Sequence, residues 1–247
     1  LRWNVLYHIM QFMAKTDEAD IQKAVTEALD RLGADKCLLI TAGPTCEDID
    51  AVRFITNRSS GKMGIAVAQA AQNDALPVLL VLGPTTLSPP DGCETIRVRS
   101  ADDMHEVVMA ALPRTVALIM TAAVADYTPV TSSDAKLKKT DGELLLRLKR
   151  TPDILTAVAE SPFRHNLTVI GFSLDVEMNL AEGRRKLTEK QLDAIVVNTS
   201  SSFGNDTINA CILKKDGLEQ DLGTTSKVVL AKEIISFVTS ASDSSGE

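Results

Sequence analysis

The segment TNRSSGKMG, residues 56–64, combines two serines, two glycines and one lysine just before the apolar run IAVAQAAQ. Phosphate binding needs backbone N–H groups and a positive partial charge, and a helix N-terminus that follows glycine and serine provides both. Lys62 would add a full positive charge. The segment therefore predicts either a phosphate-binding loop at the start of a helix or an ordinary capped turn, and its local chemistry leaves these two interpretations equally open.

Two common phosphate-binding motifs are absent from the sequence. A Walker A loop requires G-x-x-x-x-G-K-[ST], but Thr56 stands at the position of the first glycine and Met63 follows Lys62. The dinucleotide fingerprint G-x-G-x-x-G does not occur anywhere in the chain. The predicted sheet leaves a Rossmann-like oxidoreductase that uses NAD(P) as an alternative function, but the missing fingerprint argues against it.

Two clusters of basic residues provide local positive charge in a chain whose net charge is −7. The first cluster contains Lys136, Lys138, Lys139, Arg147, Lys149 and Arg150. The second contains Arg184, Arg185, Lys186 and Lys190. Lys186 and Lys190 are four residues apart and would share one face of a helix. The acidic balance argues against general nucleic-acid binding, which usually needs a basic face, but it is compatible with small anionic ligands.

Apolar strands that alternate with helical segments predict the framework for these residues. Strands are expected at 36–43, 77–83, 95–98, 115–125, 143–150, 167–175 and 193–198. Helices are expected at 16–33, 64–73, 101–112, 151–160, 180–192 and 225–238, with Pro152 in the first turn of its helix. The pattern predicts an α/β fold, a Rossmann-like parallel sheet with helices on both faces. A small antiparallel hairpin region should turn at Asp216-Gly217.

The predicted sheet favours the interpretation of residues 56–64 as an anion site. In open α/β sheets, ligands collect at the carboxyl ends of the strands. The segment lies in the first βα region, and three other polar stretches, ITAGPT, TAAVADY and GFSLD, should reach the same edge. We therefore expect these stretches to meet in one ligand site.

The size and composition predict a single soluble domain. The chain has 247 residues, of which 45% are hydrophobic, and no apolar run reaches membrane-spanning length. The start of the sequence lacks the layout of a secretory signal. The four cysteines form no C-x-x-C pair, which argues against a zinc site and favours a reducing cytoplasm. They are Cys37, Cys46, Cys93 and Cys211.

Six stretches of sequence appear in an order that resembles one known family. They are ITAGPTCEDIDAVRFITNRSSGKMG, TAAVADY, KLKK, TPDIL, VIGF and RRKLTEKQLDAIVVN. Together they resemble the phosphopantothenate–cysteine ligases, also called phosphopantothenoylcysteine synthetases, of the bacterial type often fused behind a flavin-dependent decarboxylase. The resemblance covers roughly residues 36–240. One departure is Cys46-Glu47-Asp48, where the family often has a basic or aromatic residue, then Glu, then Pro.

The resemblance implies a reaction, its cofactors and its partners. CTP would activate the carboxylate of 4′-phosphopantothenate as an acyl-cytidylate, with release of pyrophosphate. The amine of L-cysteine would then attack, giving an amide and CMP on the route to coenzyme A. Mg²⁺ would accompany the nucleotide, and the protein would be a cytoplasmic homodimer, fused to or associated with a flavin-dependent decarboxylase. The expected parts are an N-terminal extension or linker remnant (1–35), a nucleotide-binding synthetase domain (36–240) and a disordered tail (241–247).

The resemblance also implies roles for individual residues. Asn57 corresponds to the asparagine that contacts the acyl-cytidylate, and Lys136 to a catalytic lysine on a flexible flap over the triphosphate. The implied nucleotide contacts, besides Lys136, are Met120, Thr121, Ala122, Asp126, Pro152, Asp153, Ile154, Leu155, Phe172, Lys186 and Lys190. Arg53 is a candidate for the substrate site or the dimer interface. The phosphate-loop candidates are Ser59, Ser60, Gly61, Lys62 and Gly64, and no metal ligand is assigned.

Ordinary structural roles are the alternative for several of these residues. An asparagine such as Asn57 is common in turns, and Asp126 could cap a helix. A lone phenylalanine such as Phe172 usually packs in a core. Lys186 and Lys190 could lie on a solvated helix face. The motif context favours the functional interpretation for Asn57.

Overall fold

A computed structural model describes residues 18–139 and 141–243, with side-chain burial described as far as residue 240. In chain order the strands are β1 (Cys37–Ala42), β2 (Cys46–Asp48), β3 (Phe54–Thr56), β4 (Val78–Leu82), β5 (Glu94–Arg97), β6 (Thr115–Met120), β7 (Tyr127–Pro129), β8 (Leu148–Arg150), β9 (Thr168–Asp175), β10 (Ala194–Thr199), β11 (Thr207–Lys214) and β12 (Glu219–Ser226). The helices are α1 (Glu18–Arg31), α2 (Lys62–Asn73), α3 (Ala101–Ala111), α4 (Ile154–Glu160), α5 (Leu180–Glu189) and α6 (Lys227–Asp243).

Eight strands form one central sheet in the order β12-β11-β10-β9-β6-β1-β4-β5. Neighbouring strands from β10 to β5 in this order pair in parallel. The pairs β10–β11 and β11–β12 are antiparallel. Two small antiparallel pairs, β2 with β3 and β7 with β8, lie outside this sheet. The predicted fold class is confirmed, and the β11–β12 hairpin turns at Gly217, whose φ of 89° favours glycine.

Helices cover both faces of the sheet, which explains why its inner strands are apolar throughout. Strands β1 and β4 are buried along their whole length. On one face, α1 and α3 contribute Val25 and Met104 to a hydrophobic cluster. On the other face, α2 and α6 contribute Val67 and Leu230. A strand with no solvent-facing side shows no polar alternation, so continuous apolar runs were the correct signal for a parallel sheet. Within the described ranges, no helix is long and apolar enough to cross a membrane.

Three predicted elements differ from the structure. Strand β6 ends at Met120, and the chain from residue 121 onward leaves the sheet. Only residues 148–150 of the predicted strand 143–150 form a strand, β8, which pairs with the three-residue strand β7. The prediction that Pro152 lies in the first turn of its helix is wrong. Asp153 is the N-cap of α4, and its side chain accepts a hydrogen bond from the Thr156 N–H.

Helix α1 lies within the segment expected to be an extension, yet it packs on the sheet. Its apolar face places Ile21 and Leu29 in the same cluster as the β-strands. At the other end, α6 continues to Asp243, so residues 241–243 of the expected tail are helical. Residues 1–17 and 244–247, which include the rest of that tail, lie outside the described residues. The division of the chain at residue 36 stays a prediction.

Replacement of Gly64 by alanine should destabilise the fold. A Cβ at this position would clash with the Ala42 side chain and would lie 2.5 Å from the Thr121 Oγ1, so α2 would have to move off the sheet. We expect Gly64→Ala to lower the free energy of unfolding by about 1–3 kcal/mol, as overpacking in cores does. Denaturant unfolding measures this. Gly142→Ala is the control, since a Cβ there would meet no described atom within 4 Å, and equal stability of the two variants would contradict the prediction.

Candidate functional site

The predicted phosphate loop folds around the N-terminus of α2. Gly61 is the N-cap, with a left-handed φ of 80°. The Ser59 Oγ accepts a hydrogen bond from the Gly61 N–H at 3.3 Å, and the Ser60 Oγ accepts one from the Lys62 N–H at 3.5 Å. Thr85 fixes the loop from outside, since its Oγ1 donates to the Ser60 carbonyl at 2.8 Å. The Met63 and Gly64 amides of the first helical turn have no intrahelical acceptors and are available to an anion.

Asn57 joins this loop to the chain that leaves β6. Its Nδ2 donates to the carbonyl oxygens of Ala123 and Val124, at 3.0 and 3.1 Å. The side-chain oxygen of Asn57 takes no part in these two hydrogen bonds. The amide group therefore sets the distance between the loop and the 121–126 segment.

The β2–β3 hairpin, which leads to Asn57, is fixed by two acidic residues. Glu47 is 3% exposed, and its Oε1 accepts a hydrogen bond from the Ala101 N–H at the start of α3, at 2.9 Å. Asp48 accepts two bonds from the Arg99 guanidinium, at 2.9 and 2.6 Å. The guanidinium of Arg99 also lies 5.5 Å from the ring centre of Phe54. Asp48, which with Cys46 departs from the family pattern, thus provides an ionic anchor for the hairpin.

Threonine hydroxyls hold the chain that leaves the carboxyl end of β6. The Thr121 Oγ1 donates to the Thr41 carbonyl at 2.6 Å, and the Thr41 Oγ1 accepts from the Ala122 N–H at 3.2 Å. The Thr45 Oγ1 accepts from the Ala125 N–H at 3.0 Å. Thr151 donates its hydroxyl to the Ala125 carbonyl at 2.6 Å. These bonds fix the backbone on which the predicted nucleotide contacts lie.

The structure brings most of the predicted site residues together around one cleft of about 980 Å³. The cleft lies at the carboxyl ends of the parallel strands, where the strand order predicts a ligand site. The predicted residues that line it are Asn57, Ser59, Ser60, Gly61, Lys62, Gly64, Met120, Thr121, Ala122, Asp126, Pro152, Asp153, Ile154, Leu155 and Phe172.

Two predicted lysines, Lys186 and Lys190, are not among the residues that line the cleft. The Lys190 Nζ donates to the Asp153 Oδ2 at 2.5 Å and to the Thr156 Oγ1 at 2.6 Å. Burial tends to raise the pKa of Asp153, but the Lys190 ammonium and the Thr156 N–H outweigh it and leave that pKa below its usual value. The Lys186 Nζ donates to the Ser173 Oγ at 3.2 Å. Lys190 therefore holds the cap of α4 and neutralises a carboxylate of the cleft.

The remaining two predicted residues, Arg53 and Lys136, lie outside the cleft lining but close to each other along a network around Asp50. The buried Asp50 carboxylate accepts hydrogen bonds from the Arg53 guanidinium, at 3.0 and 2.5 Å, and from the Leu137 N–H at 3.1 Å. Arg53 also donates to the Leu137 carbonyl at 3.4 Å. The Arg53 guanidinium holds the pKa of Asp50 well below its usual range. Asp50 thus tethers the exposed segment that carries Lys136 to the hairpin that leads to Asn57.

The cleft also contains residues that the sequence analysis did not select as site residues. They include Thr56, Arg58, Arg150, Asn198, Ser202, Phe203, Gly204 and Lys227. Asn198 could have been found, because it is the second-to-last residue of a buried strand, at the same edge of the sheet as the other strand ends. Lys227 carries no such signal, since it begins the last helix and reaches the cleft only through the tertiary fold.

Comparisons with known proteins agree with this fold and this cleft. Residues 33–241 match the family model described as DNA/pantothenate metabolism flavoprotein C-terminal domain. The chain is 42% identical over 217 residues to the coenzyme A biosynthesis bifunctional protein CoaBC of Bacillus subtilis (strain 168), which covers 86% of this chain and 53% of that protein. The chain therefore spans about half the length of the curated relatives it matches.

Solved structures share the same architecture. The crystal structure of the C-terminal domain of coenzyme A biosynthesis bifunctional protein CoaBC superimposes with a TM-score of 0.72 at 38% identity, over 84% of this chain and 96% of that one. A Cab2 variant in complex with phosphopantothenate-cysteine superimposes with a TM-score of 0.72 over 92% of both chains. Its identity is 16%, so this second likeness is one of fold alone.

Replacement of Asp50 by asparagine should remove a pH-dependent part of the stability. Because the folded-state pKa of Asp50 is lowered, its contribution is present above the unfolded-state pKa of about 3.9 and is lost as the pH falls toward the folded-state pKa. We expect Asp50→Asn to lower the Tm at pH 7 and the gap to the parent to narrow below about pH 4. Thermal unfolding from pH 7 to pH 2.5 measures this. The exposed Asp134→Asn is the control, and a gap that is constant with pH would contradict the prediction.

Proposed function

The chain belongs to the family of DNA/pantothenate metabolism flavoprotein C-terminal domains, and from this membership we propose that it joins 4′-phosphopantothenate to L-cysteine. The proposed ligase uses CTP to form an acyl-cytidylate, with release of pyrophosphate. The amine of cysteine then attacks the activated carbonyl carbon, forming the amide of coenzyme A biosynthesis and releasing CMP. We place this reaction in the cytoplasm.

The observation that carries the proposal is the combination of groups that meet in the cleft. A carboxylate and a triphosphate repel each other, so an enzyme that joins them needs preorganised positive charge and N–H donors. The cleft lining provides the start of α2 and the basic residues Arg58, Lys62, Arg150 and Lys227. Of its acidic residues, Asp153 is neutralised by Lys190, and Asp126 has an exposed side chain. This arrangement favours anionic substrates.

The geometry supports distinct roles for the predicted residues. The Asn57 amide holds the backbone of Ala123 and Val124, and Asn57 itself lines the cleft in which the acyl-cytidylate would form. Phe172 is half-buried and lines the cleft, where we expect its ring to contact the nucleotide. Lys136 lies on an exposed segment outside the lining, consistent with a residue that reaches the triphosphate when the segment closes.

Mg²⁺ would enter with the nucleotide, since it is usually held by substrate phosphates and one or two carboxylates. Among the described residues, no group of three or more His, Cys, Asp or Glu could hold a metal ion by itself. The exposed carboxylate of Asp126 fits such a shared site. The ion would neutralise phosphate charge there.

Replacement of Lys136 by glutamine tests the nucleotide half of the reaction. Loss of the ammonium should remove one of the positive charges that compensate the departing pyrophosphate and should slow acyl-cytidylate formation by about 100-fold or more. Pyrophosphate release from CTP and 4′-phosphopantothenate, measured without cysteine, gives this rate. Lys138→Gln, two residues away on the same exposed segment, is the matched control and should stay within about twofold of the parent.

The companion variant Asn57→Asp separates the two half-reactions. A carboxylate would face the carbonyl oxygens of Ala123 and Val124, and the two N–H donors would be lost. We expect the acyl-cytidylate to form and accumulate, with a stoichiometric release of pyrophosphate and a delayed release of CMP. Parent-like turnover of both Lys136→Gln and Asn57→Asp would contradict the site assignment.

We also propose that the protein is a homodimer through the arm, defined as residues 127–139 and 141–150, and the adjacent β2–β3 hairpin. Monomeric proteins rarely expose large contiguous apolar patches. The arm and hairpin contact each other at Asp50 and Ser133, and together they expose many large apolar side chains. These are Val52, Phe54, Tyr127, Val130, Leu137, Leu144, Leu145, Leu146 and Leu148. We further propose that a flavin-dependent decarboxylase accompanies the ligase, fused or as a separate chain.

A charge in the arm should separate the two subunits. Leu145 is 85% exposed, so glutamate there would not disturb the core of one subunit but would be buried without a partner in the dimer. We expect the parent to sediment as a dimer and Leu145→Glu to sediment as a monomer at micromolar concentration. Leu218→Glu is the control, because Leu218 is 61% exposed at the β11–β12 turn, away from the arm. A monomeric parent would contradict the proposal.

A further inference from the structure

Two lysines from different helices, Lys62 of α2 and Lys227 of α6, hold the loop between β10 and β11, here called the 202–206 loop. Lys227, the first residue of α6, is 8% exposed, and its Nζ donates to the Ser202 carbonyl at 2.9 Å and to the Asn205 carbonyl at 2.7 Å. From the phosphate loop, the Lys62 Nζ donates to the Gly204 carbonyl and to the Asp206 Oδ1, both at 2.7 Å. The first half of the 202–206 loop and Lys227 itself line the cleft.

The charge of Lys227 is not neutralised by a contacting carboxylate. Its side-chain acceptors are backbone carbonyls, and the Asp206 carboxylate, whose charge tends to raise the pKa of Lys227, pairs with Lys62. Burial lowers the pKa of Lys227, and the ammonium of Lys62 lowers it further. Burial of a charge is costly unless it is paired. This corner of the cleft thus holds two ammonium groups and one carboxylate, which leaves it net positive.

Lys227 fixes the position of the 202–206 loop relative to the start of α6. The Lys227 backbone N–H donates to the Asp206 carbonyl at 2.9 Å, so one residue fixes the loop at three carbonyl groups. The loop in turn presents Gly204 and Asp206 to the Lys62 ammonium. A displacement of the loop would therefore release the lysine at the start of α2.

We propose that Lys227 is a positioning residue for the binding of a phosphorylated substrate. It holds the 202–206 loop, the loop holds the Lys62 ammonium beside the 59–64 segment, and the uncompensated charge of the corner attracts the anion. The inference depends on the proposed function only for the identity of the anion, which is a phosphate or a nucleotide triphosphate. Lys227 is not among the residues that the sequence analysis assigned to the site.

The test compares two substitutions of Lys227 in the full chain. Lys227→Met removes the charge and both side-chain hydrogen bonds, whereas Lys227→Arg keeps a cation that can donate to two carbonyls. We expect Lys227→Met to raise the KM for CTP or for 4′-phosphopantothenate about tenfold or more, with kcat within about threefold, since a KM effect with little change in kcat reports lost substrate binding. Lys227→Arg should recover most of the loss. Lys232→Met, exposed on the same helix, is the matched control.

Direct binding distinguishes a failure of this inference from a failure of the proposed function. If the parent chain shows no ligase turnover, the proposed function fails. Calorimetry with CTP and with inorganic pyrophosphate still measures anion binding at this corner of the cleft. Weaker binding by Lys227→Met than by Lys227→Arg would support the inference. Equal binding by the parent and Lys227→Met, or an equal loss in the Met and Arg variants, would overturn it.

Two further measurements exclude a general loss of structure. In Lys227→Met, hydrogen exchange should rise at the amides of the 202–206 loop and stay parent-like in β1 and β4. Lys62→Met should weaken anion binding. The double variant of Lys62 and Lys227 should lose less binding free energy than the sum of the losses in the two single variants, because both lysines act through one loop. Additive losses would overturn the inference. If Lys227→Met does not fold, Lys227→Gln replaces it and should give a KM between those of the parent and Lys62→Met, since an amide keeps donors without charge.

Discussion

The close contact between the start of α2 and the end of β1 is the constraint on which the rest of the site depends. Gly64 has no room for a Cβ beside Ala42 and Thr121, and a Cβ at Gly61 would lie 3.3 Å from the backbone of Gly43. Two glycines therefore let the helix N-terminus lie directly on the strand ends. The positive end of the helix then points into the cleft rather than into solvent, where its field would be screened.

Short hydroxyl side chains make this strand edge rigid without burying unpaired polar groups. Where β6 ends, the backbone loses its sheet partners, and unpaired buried N–H and C=O groups would be costly. Thr41 and Thr45, both fully buried, supply hydrogen bonds to the departing chain, and Thr121 and Thr151 supply others. The irregular segment is thus as well fixed as a strand, which is what a site needs when its contacts are made by backbone.

The sequence predicted what local periodicity determines and missed what long-range packing determines. Strand β4 follows from an apolar run and helix α3 from helical periodicity, and the structure contains both. The segment 143–150 has strand-like composition, but its leucines at 144–146 find no partner strand and are exposed. The 56–64 loop was found from its residue types, whereas the partners of Lys62 were not, because Gly204 and Asp206 are more than 140 residues away in the chain.

Charge is separated in space, which reconciles the acidic chain with a cleft suited to anions. The net charge of −7 is spread over the surface, and many acidic residues are held by cations away from the cleft, as Asp50 is by Arg53 and Asp48 is by Arg99. Within the cleft the relation is reversed. Asp153 is paired with Lys190, so its charge does not repel a ligand, while the ammonium of Lys227 contacts only carbonyls. A phosphate entering the cleft therefore meets cations whose charge is still available, although the protein as a whole is negative.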